Sequence, residues 1–136
     1  MIFEEFLSRT IHQYFDSIFK RYEYSYSGNE ESERDISYFF ARLDRMVRIH
    51  YNYPNNYLDI FFYRETDIAK YVSLGYNSLA YIMKDKNPMY TYLDYDAIMP
   101  DKIPLEKSLE TLSELLEQYA TTYLDGTEWK TWWDVQ

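Results

Sequence analysis

The chain has 136 residues, enough for one domain, and combines a net charge of −9 with 46 % hydrophobic and 21 % aromatic residues. A chain of this length buries roughly two thirds of the surface that its unfolded form exposes, and the hydrophobic content argues against disorder. The acidic balance argues against binding to nucleic acid or an anionic membrane and favours a basic partner. The absence of cysteine excludes a disulfide scaffold and thiolate metal sites.

The N-terminus lacks the pattern of a signal peptide. Glu4 and Glu5 stand where such a peptide carries positive charge, and no apolar core follows them. No stretch approaches the roughly 18 uncharged apolar residues that cross a membrane. We therefore expect a cytoplasmic protein that does not enter the membrane.

The first segment has the pattern of an amphipathic helix. Its apolar residues recur at steps of three and four, the period of one helical face. They are Phe3, Phe6, Leu7, Ile11, Tyr14, Phe15, Ile18, Phe19 and Tyr22. Beyond this helix, Tyr22, Tyr24 and Tyr26 alternate with polar residues, which predicts a strand. Residues 28–33 are predicted to form an acidic loop.

The segment from Ile36 to Arg64 predicts an antiparallel meander of three strands. With Asp44–Arg45 as the first turn and Pro54–Tyr57 as the second, one face of every strand is apolar, a match that a slip of one residue would destroy. The first turn lacks the glycine that tight hairpins prefer, and the rival interpretation is a helix over residues 36–47. The many β-branched and aromatic residues favour strands.

The segment that follows the meander is open to two interpretations. Thr66 or Asp67 would cap a helix whose apolar stripe continues to Met83, although Gly75 leaves two short strands as an alternative. Residues 89–95 alternate again and predict a further strand.

The last helix has the clearest boundaries. Pro104 stands where a first-turn proline belongs, and Gly126 supplies the stop. The stripe between them is Leu105, Leu109, Leu112, Leu116, Tyr119 and Tyr123. We therefore expect an α+β fold, in which an antiparallel sheet of four or five strands carries the N-terminal and C-terminal helices on one face. The same leucine stripe is compatible with a homodimer as well as a monomer.

The second face of the meander mixes polar and aromatic side chains. Its members are Ser37, Phe39, Ala41, Arg48, His50, Asn52, Asp59, Phe61 and Tyr63. Phe39, His50 and Phe61 form a predicted row across the strands, with Arg48 beside Tyr63. Such a mixture is typical of an interface core. The alternative is a minor core, covered by the tryptophan-rich C-terminal tail or by the strand predicted before the last helix.

No catalytic or metal-binding motif accompanies this face. Asp59 is the carboxylate placed mid-strand, where burial would raise its pKa, and in the predicted register it opposes Asn52. The two histidines, His12 and His50, lie on different elements, so we expect neither a metal nor a cofactor. Without a nucleophile-elbow or phosphate-loop pattern, we expect no enzymatic activity and no catalytic residues.

Acidic residues cluster in the predicted loops. The first cluster is Glu30, Glu31, Glu33 and Asp35, and the second is Asp94, Asp96 and Asp101. Most such runs are solvated, yet carboxylates in loops also suit the steering of a basic partner. The predicted partner-binding residues are Glu30, Glu31, Glu33, Asp35, Phe39, Arg48, His50, Asp59, Phe61 and Tyr63.

Three features together carry a family resemblance: the opening amphipathic helix, the strand block, and the closing leucine-rich helix. The strand block contains Val47-Arg48-Ile49-His50 and then Leu58-Asp59-Ile60, and the last helix ends with Tyr123-Leu124-Asp125-Gly126. This layout resembles small bacterial immunity proteins, which neutralise toxins by direct binding. The resemblance implies an acidic, non-catalytic module that pairs with a basic toxin or effector domain. Two other functions stay open: a nucleic-acid mimic of the kind phages use against host defence, and a small-molecule-binding domain.

Overall fold

Five antiparallel strands form one sheet among the residues that the structure, a computed structural model, describes: 2–64 and 76–130. Within these ranges the elements are α1 (Phe3–Arg21), β1 (Ser25–Glu31), β2 (Asp35–Arg42), β3 (Arg45–Asn52), β4 (Tyr57–Tyr63), β5 (Tyr76–Ser78), α2 (Leu79–Lys86), α3 (Tyr92–Asp96), α4 (Leu105–Tyr119) and α5 (Thr121–Asp125). The strands lie in the order β1-β2-β3-β4-β5. The predicted α+β architecture is confirmed, with helices from both ends of the chain on one face of the sheet.

The apolar face of the sheet packs against α1 and α4, as the periodicity of those helices predicted. Leu7, Ile11 and Phe15 of α1 are completely buried, and the Phe19 ring stacks on Phe40 of β2 with centroids 4.3 Å apart. The strands and C-terminal helices contribute further buried residues: Ile36, Tyr38, Ile49, Tyr51, Leu58, Ile60, Phe62, Leu109, Leu112, Leu116 and Leu124. Each such side chain contributes roughly 1.5–3 kcal/mol when it leaves water, so this core is the main source of stability.

The first hairpin contains strands, and the rival helix over residues 36–47 is wrong. Its turn lies one residue earlier than predicted. Arg42 pairs with Arg45, so Leu43 and Asp44 form the turn. The Arg42 guanidinium donates to the backbone carbonyl of Tyr22 at 2.8 Å, and this tertiary contact holds the end of β2 in place without a turn glycine.

The second hairpin is displaced in the same way, with its loop over residues 53–56 rather than 54–57. The backbone N–H of Asn55 donates to Asn52 Oδ1 at 3.1 Å, and Asn56 takes the left-handed conformation with φ 48°. Asparagine suits both roles, because its short side chain bonds to nearby backbone. Both hairpins are therefore two residues out of the predicted register. Since side chains alternate with a period of two, each stays on its predicted face while its cross-strand partner changes.

The first strand lies later in the chain than the alternating tyrosines predicted, because Tyr22 and Tyr24 fall between α1 and β1. β1 covers Ser25–Glu31, so the first part of the predicted acidic loop belongs to the strand. Gly28, with φ 124°, lies at the bulge that interrupts the ladder between β1 and β2. The loop itself is residues 32–34, closed by the backbone N–H of Ser32, which donates to the carbonyl of Asp35 at 2.8 Å.

The helix predicted to begin at Thr66 or Asp67 has its start outside the described residues. The described part of that segment contains a strand, β5, followed by α2. Ser78 caps α2, because its hydroxyl accepts from the backbone N–H of Tyr81 at 3.3 Å.

The strand predicted over residues 89–95 is wrong, since α3 lies there. Thr91 and Asp94 form a capping box, in which each side chain accepts from the other residue's backbone N–H. This reciprocal cap satisfies two backbone donors at the start of a helix, and it outweighs the alternating pattern.

Helix α3 and the turn after it cover one edge of the sheet. β5 pairs with Phe61–Tyr63, which leaves Leu58 of β4 beyond its end. The Tyr95 hydroxyl donates to the Leu58 carbonyl at 2.7 Å, and the Leu58 N–H donates to Met99 Sδ at 3.4 Å. Side chains thus complete the hydrogen bonding of a strand that has lost its neighbour.

The C-terminal helical segment differs from the prediction at two points. Pro104 is the N-cap of α4 rather than a first-turn residue, and the helix breaks at Ala120 before α5 continues. Gly126 ends α5 in the left-handed conformation, with φ 81°, as predicted.

We expect Tyr95→Phe to lower the free energy of unfolding by about 1–2 kcal/mol, because it leaves the Leu58 carbonyl buried without a donor. The ring and its packing are retained. Tyr26→Phe is the matched control, since Tyr26 is 42 % exposed and its change should stay within about 0.5 kcal/mol. Urea unfolding of the three proteins measures both effects. Equal stabilities for the two variants would refute the role of Tyr95 at this edge.

Candidate functional site

The second face of the sheet is divided into a buried sector and a polar sector. Phe39, Met46 and Tyr63 form the buried sector, with exposed fractions of 1 %, 1 % and 3 %. Their burial agrees with the minor-core alternative. Of the two segments expected to cover it, the strand over residues 89–95 is not formed, and residues 131–136 of the tail lie outside the described residues. Phe39 and Tyr63 were predicted to bind a partner, but a buried side chain cannot contact a partner docked on this fold. We therefore leave both out of the proposed site.

The observed register changes which side chains lie opposite one another on this face. Phe39 and Phe61 both pair with Arg48, whereas the prediction paired them with His50. The Arg48 guanidinium lies 5.5 Å from the centre of the Phe61 ring, a cation–π contact. The predicted proximity of Arg48 to Tyr63 is confirmed, with Arg48 Nη1 3.5 Å from the tyrosine hydroxyl. Arg48 therefore joins the buried sector to the polar one.

The polar sector, called here the polar patch, consists of Asp35, Ser37, Arg48, His50 and Asp59. Ser37, His50 and Asp59 lie opposite one another on β2, β3 and β4. Arg48 Nε donates to Ser37 Oγ at 2.8 Å, which fixes the guanidinium beside the row. All five side chains come from three adjacent strands, so the sheet holds them on a rigid frame.

Asp35 and His50 form a hydrogen-bonded pair at one end of the patch. His50 Nε2 lies 3.0 Å from Asp35 Oδ2, and the Ser32 hydroxyl donates to Asp35 Oδ1 at 2.7 Å. These two contacts lower the pKa of Asp35. Burial lowers the pKa of His50, against the opposing effect of Asp35, so the imidazole is neutral at pH 7. Its Nδ1 is buried and has no hydrogen-bond partner within the described residues.

Asp59 is the carboxylate for which the sequence predicted a raised pKa, and the structure agrees. Burial raises the pKa of Asp59 to about 6, and the positive charge of Arg48 opposes the rise. Its cross-strand partner is His50 rather than the predicted Asn52. No hydrogen bond to Asp59 is present among the described residues, so the charge of Arg48 offsets only part of the desolvation cost of this half-buried carboxyl.

The polar patch contains the residue types of a nucleophilic triad without its geometry. Ser37 Oγ accepts from Arg48, His50 Nε2 faces Asp35, and His50 Nδ1 bonds to neither hydroxyl nor carboxylate. A serine nucleophile needs a histidine within hydrogen-bond reach to take its proton. This arrangement therefore does not activate Ser37.

The first acidic cluster lies beside the polar patch, at the C-terminal end of β1 and in the loop that leads to β2. Glu30 and Glu31 belong to the strand, Glu33 to the loop after it, and Asp35 to the start of β2. All are exposed except Asp35, which is half-buried. An open groove of about 390 Å³ is lined by residues of both the cluster and the patch, which share Asp35. Its described lining residues are Glu30, Glu31, Ser32, Asp35, Ser37 and Arg48.

Ser32 lines this groove although the sequence analysis did not include it in the site. A signal for it exists in the Ser-Glu-Arg-Asp spacing, because a serine three residues before an aspartate commonly closes a loop through its hydroxyl. Ser32 Oγ indeed accepts from the N–H groups of Arg34 and Asp35, each at 3.2 Å.

The carboxylates of the second acidic cluster form hydrogen bonds and an ion pair within the fold. Asp94 caps α3, Asp96 accepts from the Tyr57 hydroxyl at 3.1 Å, and Asp101 pairs with Lys102 at 2.9 Å. These carboxylates have structural partners, and they lie outside the groove.

Two further classes of site find no support in residues 2–64 and 76–130. No three His, Asp or Glu side chains in these ranges come together as metal ligands. Nor does any helix there combine the length and apolar content that a bilayer crossing requires. His12 lies on α1, on a different element from His50 as predicted, is half-buried and bonds to Asp16 at 2.8 Å.

Comparison of the chain with models of protein families, with curated proteins and with solved structures finds no match. The polar patch and the acidic groove are therefore judged by their own chemistry.

We expect Asp59→Asn to stabilise the protein at pH 8 by about 2 kcal/mol. The pKa of this acid is higher in the folded state, so its ionisation above pH 6 opposes folding. The amide avoids the charge but keeps part of the desolvation cost. The gain should shrink as pH falls through 6 and vanish below about 4, because the carboxyl is then neutral in both states.

Thermal unfolding of wild type and Asp59→Asn between pH 4 and pH 8 measures this effect. Glu114→Gln, the same chemical change at an exposed residue of α4, is the control and should leave the pH profile unchanged. A stability difference between wild type and Asp59→Asn that does not vary with pH would contradict the assigned pKa.

Proposed function

We propose that this chain is a non-catalytic protein-binding module that inhibits a basic toxin or effector domain, in the manner of a bacterial immunity protein. It would act in the cytoplasm, as a monomer or homodimer and without a cofactor. The observation that supports this proposal is the groove in which Glu30, Glu31 and Asp35 converge beside the polar patch. The proposed contact residues are Glu30, Glu31, Glu33, Asp35, Arg48, His50, Asp59 and Phe61.

The charge of the groove favours a basic partner. Its described lining carries three carboxylates and one guanidinium, that of Arg48, which is already hydrogen-bonded to Ser37. The chain as a whole adds a net charge of −9. A field of this sign accelerates encounter with a positively charged protein and repels nucleic acid.

Binding accounts for the polar patch better than catalysis does. Ser37 has no base, and the grooves described here are open to solvent rather than enclosed around a substrate. Polar and aromatic side chains on a rigid sheet, next to a charged rim, are the usual composition of a protein interface. Asp59 and His50 would then be paired with groups of the partner, which would offset their desolvation.

The nucleic-acid mimic would require rows of carboxylates available to a protein that recognises phosphates. The second acidic cluster does not supply them, because Asp94, Asp96 and Asp101 are held by contacts within the fold. No observation favours the nucleic-acid mimic over a module that binds a basic protein at the groove.

Affinity capture from the native cell, with mass spectrometry, should yield a stoichiometric partner with a basic binding domain. Expressed alone the partner should be toxic, and co-expression of this chain should restore growth. Capture of no stoichiometric partner, or of one that stays toxic in the complex, would contradict the inhibitor proposal.

Charge variants then test which carboxylates accelerate association with the partner. We expect Glu30→Gln/Glu31→Gln/Glu33→Gln to slow association with the partner about tenfold at low salt, because local charge steers encounter. The control is Asp101→Asn/Glu114→Gln/Glu117→Gln, which removes the same number of charges from exposed positions elsewhere. Asp101 and Glu117 lose ion pairs with Lys102 and Arg21, and such exposed pairs contribute little to stability. Stopped-flow kinetics over a range of ionic strength measures both. Equal rates for the two variants would show that net charge acts rather than the groove.

A further inference from the structure

The outer edge of β1 is an unpaired strand edge. β1 is the terminal strand of the sheet, and among the described residues no segment pairs with its outer side. All its residues except Gly28 are exposed. The other side of the sheet differs, because Tyr95 and Met99 bond to the backbone of β4 where β5 ends. An unpaired edge presents a row of backbone donors and acceptors to any extended chain.

The hydrogen-bond pattern identifies the backbone groups that face outward. The Ser32 N–H donates to the Asp35 carbonyl, so these two residues form a hydrogen-bonded pair. In an antiparallel ladder such pairs alternate with pairs whose backbone groups point away. In the register of β1 with β2, the N–H and C=O groups of Asn29 and Glu31 therefore face the unpaired side.

A carboxylate-lined groove flanks this edge on each side of the sheet. On the second face it is the groove of Glu30 and Asp35. On the helix face a groove of about 380 Å³ lies between α1 and β1. Its lining carries three carboxylates (Glu4, Glu5 and Glu31) and one guanidinium (Arg9), together with Ser8, Asn29, Ile36 and Tyr38. The side chains of an added strand would alternate between these two grooves.

The helix-face groove also contains a buried hydroxyl, that of Tyr38, beside Ser8. Tyr38 is 1 % exposed. Burial raises the pKa of Tyr38 to about 12, so the hydroxyl keeps its proton. Tyr26, Glu31 and Glu4 add to the rise, and the Ser8 hydroxyl opposes it.

We propose that a basic, extended segment of the partner pairs with the outer edge of β1 as an additional strand. This inference rests on the proposed function and names its mode of binding. The backbone of the segment bonds to Asn29 and Glu31, and consecutive lysine or arginine side chains enter the two grooves. On the helix face, a lysine ammonium or an arginine guanidinium is held by Glu4, Glu5 and Glu31.

A second copy of the chain does not fit this edge. Two β1 strands placed side by side would bring Glu30 and Glu31 of each copy close to those of the other, and facing like charges destabilise a strand pair. The same carboxylates that disfavour self-association select a basic strand. The carboxylates of β1 therefore disfavour aggregation of the chain through this edge.

The test uses the intact protein and a blocked synthetic peptide, acetyl-Thr-Lys-Arg-Val-Lys-Arg-Thr-amide, which places a basic residue on both faces of a strand. The control peptide has the same sequence with every internal backbone nitrogen methylated, which keeps the charge and removes the strand donors. We expect the unmethylated peptide to bind at least about tenfold more tightly, because strand pairing requires those donors. On binding, amide exchange at Asn29 and Glu31 should slow. Glu30→Gln/Glu31→Gln should weaken binding.

Three results would overturn strand addition: equal affinity for the methylated peptide, amide changes that spare Asn29 and Glu31, or no binding of the peptide at low salt. If any of these occurs while a captured basic partner still associates in a salt-dependent manner, the proposed function stands and its mode is different. If no basic partner is captured either, both fail.

Discussion

The structure depends on the burial of one sheet face beneath α1 and α4. Leu7, Ile11 and Phe15 fill the centre of that contact, and Phe19 stacks on Phe40 at its edge. Removing this much apolar surface from water is the dominant favourable term in a domain of this size. The burial of this face also determines where the polar residues lie, because a sheet with one buried face must present them on the other face or at its edges.

The two edges of the sheet differ in how far the protein itself covers their backbone groups. This difference is the basis of the functional proposal. At one edge, the Tyr95 hydroxyl and the Met99 sulfur bond to Leu58 where β5 ends, so this part of β4 is covered by the protein itself. At β1, the edge carries Glu30 and Glu31 and is exposed almost throughout. Carboxylates on an edge strand protect against pairing with neutral or acidic strands. They do not protect against a basic one, which is the partner that the net charge also favours.

The sequence predicted the faces of the sheet correctly and the pairing within it incorrectly, for one physical reason. Hydrophobic alternation has a period of two, so it assigns each side chain to a face but is unchanged by a shift of two residues. The shift was decided by contacts that periodicity does not encode, such as the bond from Arg42 to the Tyr22 carbonyl and the left-handed Asn56. Likewise, the cap formed by Thr91 and Asp94 outweighed an alternating pattern.

The candidate site was predictable to a similar extent. The acidic cluster and the raised pKa of Asp59 follow from residue type and strand position, and both could be anticipated from the sequence. The burial of Phe39 could not, because alternation names a face without showing how much of it is covered. The pairing of His50 with Asp35 depends on the true register.

Hydrogen–deuterium exchange on the chain, alone and bound to its captured partner, tests the central claim most directly. If the partner docks at the acidic edge, amides in β1 and in residues 32–34 become protected in the complex, while those of α4 exchange as before. Protection confined to α4, with β1 exchanging at its unbound rate, would contradict the account.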